Sequence, residues 1–231
     1  MKLIIFDIDG TLMNTNEVDE KCFLDAFGEY LGVDLRKQTW HEFRHVTESS
    51  IAEEIFETVV NRKPKPEEYI ELKALFLQKL ETELHSDRSQ FEEVQGALEF
   101  FNYLQALDDF NVGIATGSWS LSAKVKLDAI SLDYSNIPFS HCDYFISREE
   151  IILDVIHKSR NKHNKEFEEI IYFGDGIWDF NTCRNVGIRF IGIDCTNNGK
   201  LLNLGTKNVF NDYLDKEIIL QVMYNNSPVK K

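Results

Sequence analysis

Cysteine is scarce in this 231-residue chain, and its four cysteines show no Cys-x-x-Cys spacing of a metal or redox motif. Such sparse cysteines cannot form the disulfide framework of a small secreted domain, so we expect buried free thiols. The apolar run before Asp7 is too short for a secretory signal, and no run approaches the length of a membrane-spanning helix. We therefore expect a cytoplasmic protein. The cysteines are Cys22, Cys142, Cys183 and Cys195.

Positive charge is also in short supply. The chain has 25 lysines and arginines against 39 aspartates and glutamates, a formal net charge of −14 at pH 7. Nucleic acids and anionic membranes bind cationic faces, so we predict neither as a partner. The hydrophobic content of 43% and the chain length are sufficient for a sizeable core in one larger domain or two modest ones.

Residues 2–12 form a short apolar run that ends in two carboxylates, a glycine and a threonine. Such a run predicts a strand buried on both faces, as in the centre of a parallel sheet. Asp7 and Asp9 would follow its carboxyl end, where these sheets bind ligands, and their i, i+2 spacing points both carboxylates the same way. Gly10 lets the backbone turn close against a ligand. Residues 7–12 resemble the first motif of the haloacid dehalogenase-like (HAD) superfamily of phosphatases and phosphomutases.

A second apolar run, residues 111–118, ends in Thr116, Gly117 and Ser118. It resembles the second motif of the same superfamily. A hydroxyl and the following backbone N–H groups at a strand end can bind phosphoryl oxygens without carrying charge. Taken alone, the segment is better explained as a strand-to-helix turn with an N-cap hydroxyl. The order of the motifs favours a phosphate site, and we predict that Gly10, Thr116 and Gly117 contribute to it.

Residues 169–179 again join an apolar strand to an acidic turn, and they match the fourth HAD motif, Gly-Asp-x-x-x-Asp. Mg²⁺ prefers oxygen ligands and keeps several waters, so one or two carboxylates together with a substrate phosphate suit it. We predict Asp175 as a direct metal ligand. Asp179 could bind the ion, orient its waters or cap the next helix. We assign it a supporting role.

The third motif departs from the family pattern, which has a lysine that holds the transferring phosphate. Arg148 is the best replacement, because it follows a predicted strand, opens a predicted helix and can bind phosphate bidentately. Lys158 is the second candidate, and a surface salt bridge is the alternative role for Arg148. Lys124 and Lys126 are expected on the helix after the second motif, as solvated lysines.

Apolar runs and helical patterns alternate along most of the chain, with strands predicted at 112–115, 144–146, 170–173 and 190–193. This alternation predicts an α/β fold, a doubly wound parallel Rossmann-like sheet. Between the first motif and about residue 88 the pattern is helical throughout, with helix starts expected at Ser50 and Pro66. We predict a helical cap domain at 15–88, inserted into a catalytic core formed by 1–14 and 89–231.

The resemblance implies a chemistry as well as a fold. Asp7 would be the nucleophile that forms an aspartyl-phosphate, and Asp9 would protonate the leaving oxygen and then activate water. Mg²⁺ would be held by Asp7, Asp175 and the backbone carbonyl of Asp9. Because dehalogenases of this superfamily lack an acid at the position of Asp9, its presence favours a phosphatase acting on a small phosphorylated substrate. A phosphomutase of the same fold and a non-catalytic phosphoryl sensor or interaction protein stay open as alternatives.

Overall fold

The computed structural model describes residues 1–35 and 43–225. Its centre is a six-stranded, wholly parallel sheet in the order β3-β2-β1-β4-β5-β6. This order reverses direction at β1, as in a doubly wound Rossmann-like sheet, and it confirms the predicted fold class. The strands are β1 (Lys2–Phe6), β2 (Phe110–Ala115), β3 (Phe139–Ser140), β4 (Glu169–Gly174), β5 (Arg189–Ile193) and β6 (Val209–Phe210).

Eight α-helices accompany the sheet in the described part of the chain. The first three lie between β1 and β2 in sequence, and no strand interrupts them within the described residues. None of the helices in the described ranges is long and apolar enough to cross a membrane. The helices are α1 (Asn16–Leu31), α2 (Glu48–Val60), α3 (Pro66–Ser86), α4 (Ala97–Gln105), α5 (Ser120–Ala129), α6 (Arg148–His163), α7 (Ile177–Val186) and α8 (Lys216–Tyr224).

The division into a core and a cap stays a prediction. The segment from α1 to α3, residues 16–86, is called the helical segment below. The predicted cap range also contains residues 36–42, and the predicted core range contains 226–231, both of which lie outside the described residues.

Strand β1 is buried on both faces because it lies between β2 and β4. In the register of the sheet, Phe6 is paired with Ile114 on one side and Phe173 on the other. The ring of Phe6 stacks on that of Phe173 with 4.8 Å between centroids, and the ring of Phe101 lies 5.4 Å away. This aromatic packing anchors the last residue of β1, so the position of Asp7 immediately after it is well defined.

One predicted strand is wrong. Residues 144–146 form an irregular loop, and the edge strand β3 lies earlier, where Phe139 and Ser140 pair with Ile114 and Ala115. Tyr144 and Ile146 are 85% and 38% exposed, and only Phe145 of the three packs against the core. Periodicity over three residues cannot distinguish an edge strand from a loop that passes over the surface.

Two helix starts differ in how well they were predicted. Helix α2 begins at Glu48, with Thr47 as N-cap, so the start expected at Ser50 is wrong. The Thr47 hydroxyl accepts a hydrogen bond from the Ser50 amide at 3.2 Å. Helix α6 begins as predicted, because Ser147 and Glu150 form a capping box and leave Arg148 as the first helical residue.

Candidate active site

The carboxyl ends of β1, β2 and β4 meet at the point where the strand order reverses. Asp7 follows β1, Thr116 follows β2 and Asp175 follows β4. The Asp7 amide donates to the carbonyl of Phe173 at 3.0 Å, and the Thr116 amide donates to that of Ser140 at 3.1 Å. Backbone pairing therefore continues one residue beyond the strands and fixes where these side chains begin. In doubly wound sheets this crevice is where ligands bind.

Asp7, Asp175 and Asp179 bring their carboxylates together beneath this crevice. One oxygen from each lies within 4.8 Å of the others, and all three side chains are buried. Within the described residues, Oδ1 of Asp7 and Oδ1 of Asp175 have no hydrogen-bond partner. Buried carboxylate oxygens without partners are costly unless a cation binds them. The pair therefore fits a hard divalent cation such as Mg²⁺.

Asp179 differs from the other two acids because both of its oxygens already accept hydrogen bonds. Oδ1 accepts from Arg148 at 2.8 Å and from the Tyr172 hydroxyl at 3.2 Å. Oδ2 accepts from the Gly176 amide at 2.9 Å, which makes Asp179 the reciprocal partner of the α7 N-cap. Asp179 thus holds Arg148 and the start of α7.

Burial of like charges changes the proton affinity of this cluster. Burial raises the pKa of Asp7 to about 8, an effect opposed by Arg148 and reinforced by the neighbouring carboxylates. Burial likewise raises the pKa of Asp175 to about 6, while Lys200 and Asn16 act against it. The Lys200 ammonium lies 3.3 Å from Asp175 Oδ2, and the Asn16 amide donates to the same oxygen at 3.0 Å. Without a cation, these acids are costly to ionise.

Arg148, which the sequence analysis predicted as the replacement for the third-motif lysine, lies beside the acidic cluster. Its Nη1 donates to Asp7 Oδ2 at 3.1 Å and to Asp179 Oδ1 at 2.8 Å, and its Nε donates to the carbonyl of Val46 at 2.8 Å. Burial would lower the pKa of Arg148, but the two carboxylates outweigh it and hold the pKa well above its usual range. Lys158 lies elsewhere, bound to Asp154 and the carbonyl of Phe139.

The glycines of the first two motifs provide space. Gly10 has a φ of +71°, and a Cβ there would overlap the carboxylate of Asp175 and the amide of Asn16. The Gly10 amide donates to the carbonyl of Met13 at 2.7 Å, so it is used within the loop. At Gly117 a Cβ would lie 2.8 Å from Arg148 Nη2, so this glycine lets the guanidinium approach the second motif.

The Thr116 hydroxyl lies at the head of the second-motif loop, where it accepts from the Ser118 amide at 3.1 Å. The Ser118 hydroxyl donates to Asp9 Oδ2 at 3.1 Å. The second motif therefore contacts the first-motif carboxylate through Ser118, a residue to which the sequence assigned no role of its own.

Lys126 corrects a prediction, because it is not solvated. Its side chain is fully buried, and its ammonium donates to both oxygens of Asp9, at 2.8 and 2.7 Å, and to Asp19 Oδ1 at 2.7 Å. The carboxylate of Asp9 is thereby separated from the cluster of Asp7, Asp175 and Asp179. Burial would raise the pKa of Asp9, but its ion pair with Lys126 keeps that pKa below its usual value.

The burial of Lys126 was detectable in principle. On α5 it falls on the same helical stripe as Ser122, Ala123 and Leu127, which are all buried. A polar residue on an apolar stripe signals a buried partner, and Asp19, which is 6% exposed on α1, is that partner. No sequence pattern pointed to Asn16 on α1 or to Lys200 in the loop after β5, because both become neighbours of Asp175 only in the folded chain.

A cavity of about 310 Å³ opens onto these groups. Asp7, Asp9 and Asp175 line its floor at the sheet, and the rest is lined by side chains of α1, α2, α6 and α7 and by loop residues. Those from the helices include Asn16, Asp19, Glu20, Glu48 and Trp178. The loop residues are Val46, Gly117, Ser118 and Lys200, and α6 contributes Arg148. Its size suits a small molecule.

A doubly wound parallel sheet with buried carboxylates at its switch point defines an α/β enzyme of the Rossmann-like type. Residues 4–193 match the family model described as haloacid dehalogenase-like hydrolase. The chain belongs to this family, which confirms the resemblance of its motifs and makes it an enzyme of the hydrolase class. A comparison with curated proteins finds no match.

Solved structures of low sequence identity share the fold. A hydrolase from Pseudomonas syringae is 21% identical with a TM-score of 0.74, covering 97% of this chain and 100% of its own. A predicted phosphoglycolate phosphatase from Haemophilus somnus is 16% identical with a TM-score of 0.65, covering 96% and 98%. A putative beta-phosphoglucomutase from Bacteroides vulgatus is 18% identical with a TM-score of 0.64, covering 96% and 88%.

Proposed function

We propose that this chain is a Mg²⁺-dependent phosphatase that hydrolyses a small phosphomonoester through an aspartyl-phosphate on Asp7. One observation carries the proposal. Asp7 has one oxygen held by Arg148 and one buried oxygen with no partner among the described residues, and it lies at the floor of a cavity. A carboxylate that is oriented on one side and open on the other is suited to attack a bound group.

The metal ligands in this proposal are Asp7, Asp175 and the backbone carbonyl of Asp9. Support comes from the two partnerless Oδ1 atoms, which are the donor type that Mg²⁺ takes. When bound, the ion would neutralise part of the negative charge of Asp7, Asp175 and Asp179 and of the substrate phosphate. Asp179 would hold Arg148 in place, since it already accepts a hydrogen bond from that guanidinium.

The phosphate would be bound by Arg148 together with the Thr116 hydroxyl and the loop at Gly10 and Gly117. Arg148 has a fork of N–H donors that matches the geometry of phosphoryl oxygens. This arginine also weakens the case for a non-catalytic relative, because the missing third-motif lysine was the only feature that favoured one.

The reaction would occur in two steps. In the first, an oxygen of Asp7 forms a bond to phosphorus, the bond from phosphorus to the leaving oxygen breaks, and Asp9 gives that oxygen a proton. In the second, Asp9 takes a proton from water, whose oxygen attacks the aspartyl-phosphate and releases inorganic phosphate and free Asp7.

The helical segment would act as the cap over this site. Its helices α1 and α2 contribute Asn16, Asp19, Glu20 and Glu48 to the wall of the cavity. Closure would exclude water during the first step, and cap residues would contact the leaving group. A fold-related structure is described as a predicted phosphoglycolate phosphatase and another as a putative beta-phosphoglucomutase, so both reactions belong in the assay.

The test is release of inorganic phosphate from 4-nitrophenyl phosphate and a panel of small phosphomonoesters, with Mg²⁺ or with a chelator. Wild type should turn over in a metal-dependent manner. Asp7→Asn should lower kcat by about 10³-fold or more, because an amide cannot act as the nucleophile. Asp25→Asn, at a separate surface groove, is the matched control and should behave as wild type.

The alternatives have distinct results. A stable phospho-enzyme without free phosphate, together with transfer between sugar phosphates, would identify a mutase. Near-normal turnover by well-folded Asp7→Asn would refute the nucleophile. An inactive, folded wild type would refute the enzymatic proposal itself.

A further inference from the structure

We propose that Lys126 is a positioning residue for the acid–base carboxylate Asp9, and that it ties this carboxylate to Asp19 of α1. The inference rests on the proposed function, because it assigns a partner to the group that would move protons in it. The Lys126 ammonium donates to Asp9 Oδ1 at 2.8 Å, to Asp9 Oδ2 at 2.7 Å, to Asp19 Oδ1 at 2.7 Å and to the Ser118 hydroxyl at 2.9 Å.

Lys126 has no free donor with which to bind a substrate. Its side chain is fully buried, and its three N–H groups are shared among four acceptors of the protein. It therefore acts on the reaction through Asp9 and does not contact the leaving group.

Both oxygens of Asp9 are held from several directions. Oδ1 also accepts from the Thr15 hydroxyl, and Oδ2 from the Ser118 hydroxyl at 3.1 Å. The carboxylate is thus held by three chain segments, namely the end of the first-motif loop, the second-motif loop and α5. A carboxylate restrained in this way has few alternative rotamers, so it stays at the lining of the cavity where a leaving oxygen would lie.

The network also reaches the helical segment. Asp19 lies on α1 and Glu48 opens α2, and both are buried. Glu48 accepts from the Trp119 amide at 2.7 Å and from the Ser122 hydroxyl at 3.2 Å, so it contacts the first turn of α5, about one turn before Lys126. A buried ion pair is a weak means of stabilising a fold, because desolvation offsets much of its attraction. Its geometric effect is larger, since the ammonium that holds Asp9 also holds Asp19 of α1.

The test uses the different needs of two leaving groups. An alkyl phosphate releases a strongly basic alkoxide that needs a proton from Asp9, whereas 4-nitrophenolate leaves readily without one. The ratio kcat/KM covers the steps up to loss of the alcohol, so it isolates this proton transfer from hydrolysis of the phospho-enzyme. Lys126→Gln should lower kcat/KM for the alkyl ester by about 10- to 100-fold more than for 4-nitrophenyl phosphate.

Three further variants complete the design. Asp9→Asn sets the reference for complete loss of proton transfer and should show the same selectivity. Lys124→Gln makes the same change two residues earlier on α5, outside this network, and should match wild type. Asp19→Asn combined with Lys126→Gln removes one charge of each sign. If Lys126→Gln alone does not fold, the kcat/KM values for the two esters are compared in this double variant, which keeps the net charge of wild type.

The outcomes separate the inference from the function on which it rests. A selective loss on the alkyl ester supports the positioning role. An equal loss on both esters, as expected from a lower folded fraction, overturns it, and so does an unchanged ratio. A relative gain on the alkyl ester also overturns it, because that result is expected if the charge of Lys126 acts only by making Asp9 harder to protonate. If wild type hydrolyses neither ester, the phosphatase proposal fails and the role of Lys126 fails with it. If wild type is active and only the selectivity is missing, the phosphatase proposal stands alone.

Discussion

At Gly10 the backbone of the first-motif loop passes so close to Asp175 that a side chain does not fit. A Cβ would overlap the Asp175 carboxylate and the Asn16 amide, and the φ of +71° is unfavourable for any other residue. This one position brings the first and fourth motifs into contact, which the site requires if both carboxylates are to bind one ion.

Gly10→Ala should therefore lower stability through a backbone penalty and through steric overlap, whereas Gly32→Ala should do so through the backbone penalty alone. Gly32 has a similar φ of +69° with no atom within 4 Å of a built Cβ, so it reports the backbone penalty alone. We expect about 1–2 kcal/mol of lost stability from that penalty in each variant, and a further ~1–3 kcal/mol from overlap at Gly10. Urea unfolding measures both. Equal losses would show that the loop can move away from Asp175.

The place of Arg148 in the chain was predictable, but its partners were not. Its charge and its place at the start of a helix are readable from the sequence through the capping box of Ser147 and Glu150. Its partners are not, because Asp7 and Asp179 lie 141 and 31 residues away along the chain. Only the folding of β1, α6 and α7 around the carboxyl ends of the central strands brings the three groups together.

The first turn of α2 is joined to the rest of the molecule by several hydrogen bonds. The Thr47 hydroxyl donates to the carbonyl of Ile146 at 2.8 Å, and the Ser49 hydroxyl donates to that of Cys142 at 2.7 Å. The Glu48 amide donates to the carbonyl of Gly117 at 2.8 Å. These bonds connect the helical segment to the loops that follow β2 and β3.

Thr47→Ala removes the N-cap of α2 and one of these connections. We expect a loss of about 2 kcal/mol, with ~1 kcal/mol from the cap and ~1 kcal/mol from the bond to Ile146. Thr58→Ala is the control on the same helix, because that hydroxyl donates only to Glu54 within α2. It should remain within about 0.5 kcal/mol of wild type. Chemical unfolding followed by circular dichroism makes the comparison, and equal stabilities would mean that the connection contributes nothing.

For the whole molecule, the buried acids should make metal binding depend on pH. Burial raises the pKa of Asp7 to about 8, so the folded protein holds a proton there that the unfolded chain has lost above about pH 4. The stability due to this proton is therefore present at low pH and is lost as the pH rises through about 8. Asp175, with a pKa raised to about 6, acts in the same direction.

Mg²⁺ must displace that proton, so its effect should increase with pH. We expect Mg²⁺ to raise the melting temperature more at pH 8 than at pH 6, with apparent affinity falling by about tenfold per pH unit below pH 8. Differential scanning fluorimetry at matched ionic strength measures this, and Asp7→Asn should abolish most of the difference. Equal shifts at the two pH values would contradict the placement of Asp7 in the metal site.

Most elements of the fold were predictable from the sequence, because they follow from local chemistry. Apolar runs predicted β1, β2, β4 and β5, and the three acidic or hydroxyl-bearing turns after them predicted which strand ends would carry the site. These features repeat over a few residues, so no long-range information was needed. Residues 144–146 show where such local prediction fails, since their short apolar run forms a loop and not a strand.

The pairing of the charges became visible only in the folded chain. From the sequence, Lys126 was a solvated lysine, and Asp179 was a supporting acid that could bind the ion, orient its waters or cap the next helix. In the fold, Lys126 is buried against Asp9 and Asp19, while Asp179 holds Arg148. An ion pair depends on distances between side chains far apart in the chain, and the way the helices pack in the folded chain sets those distances.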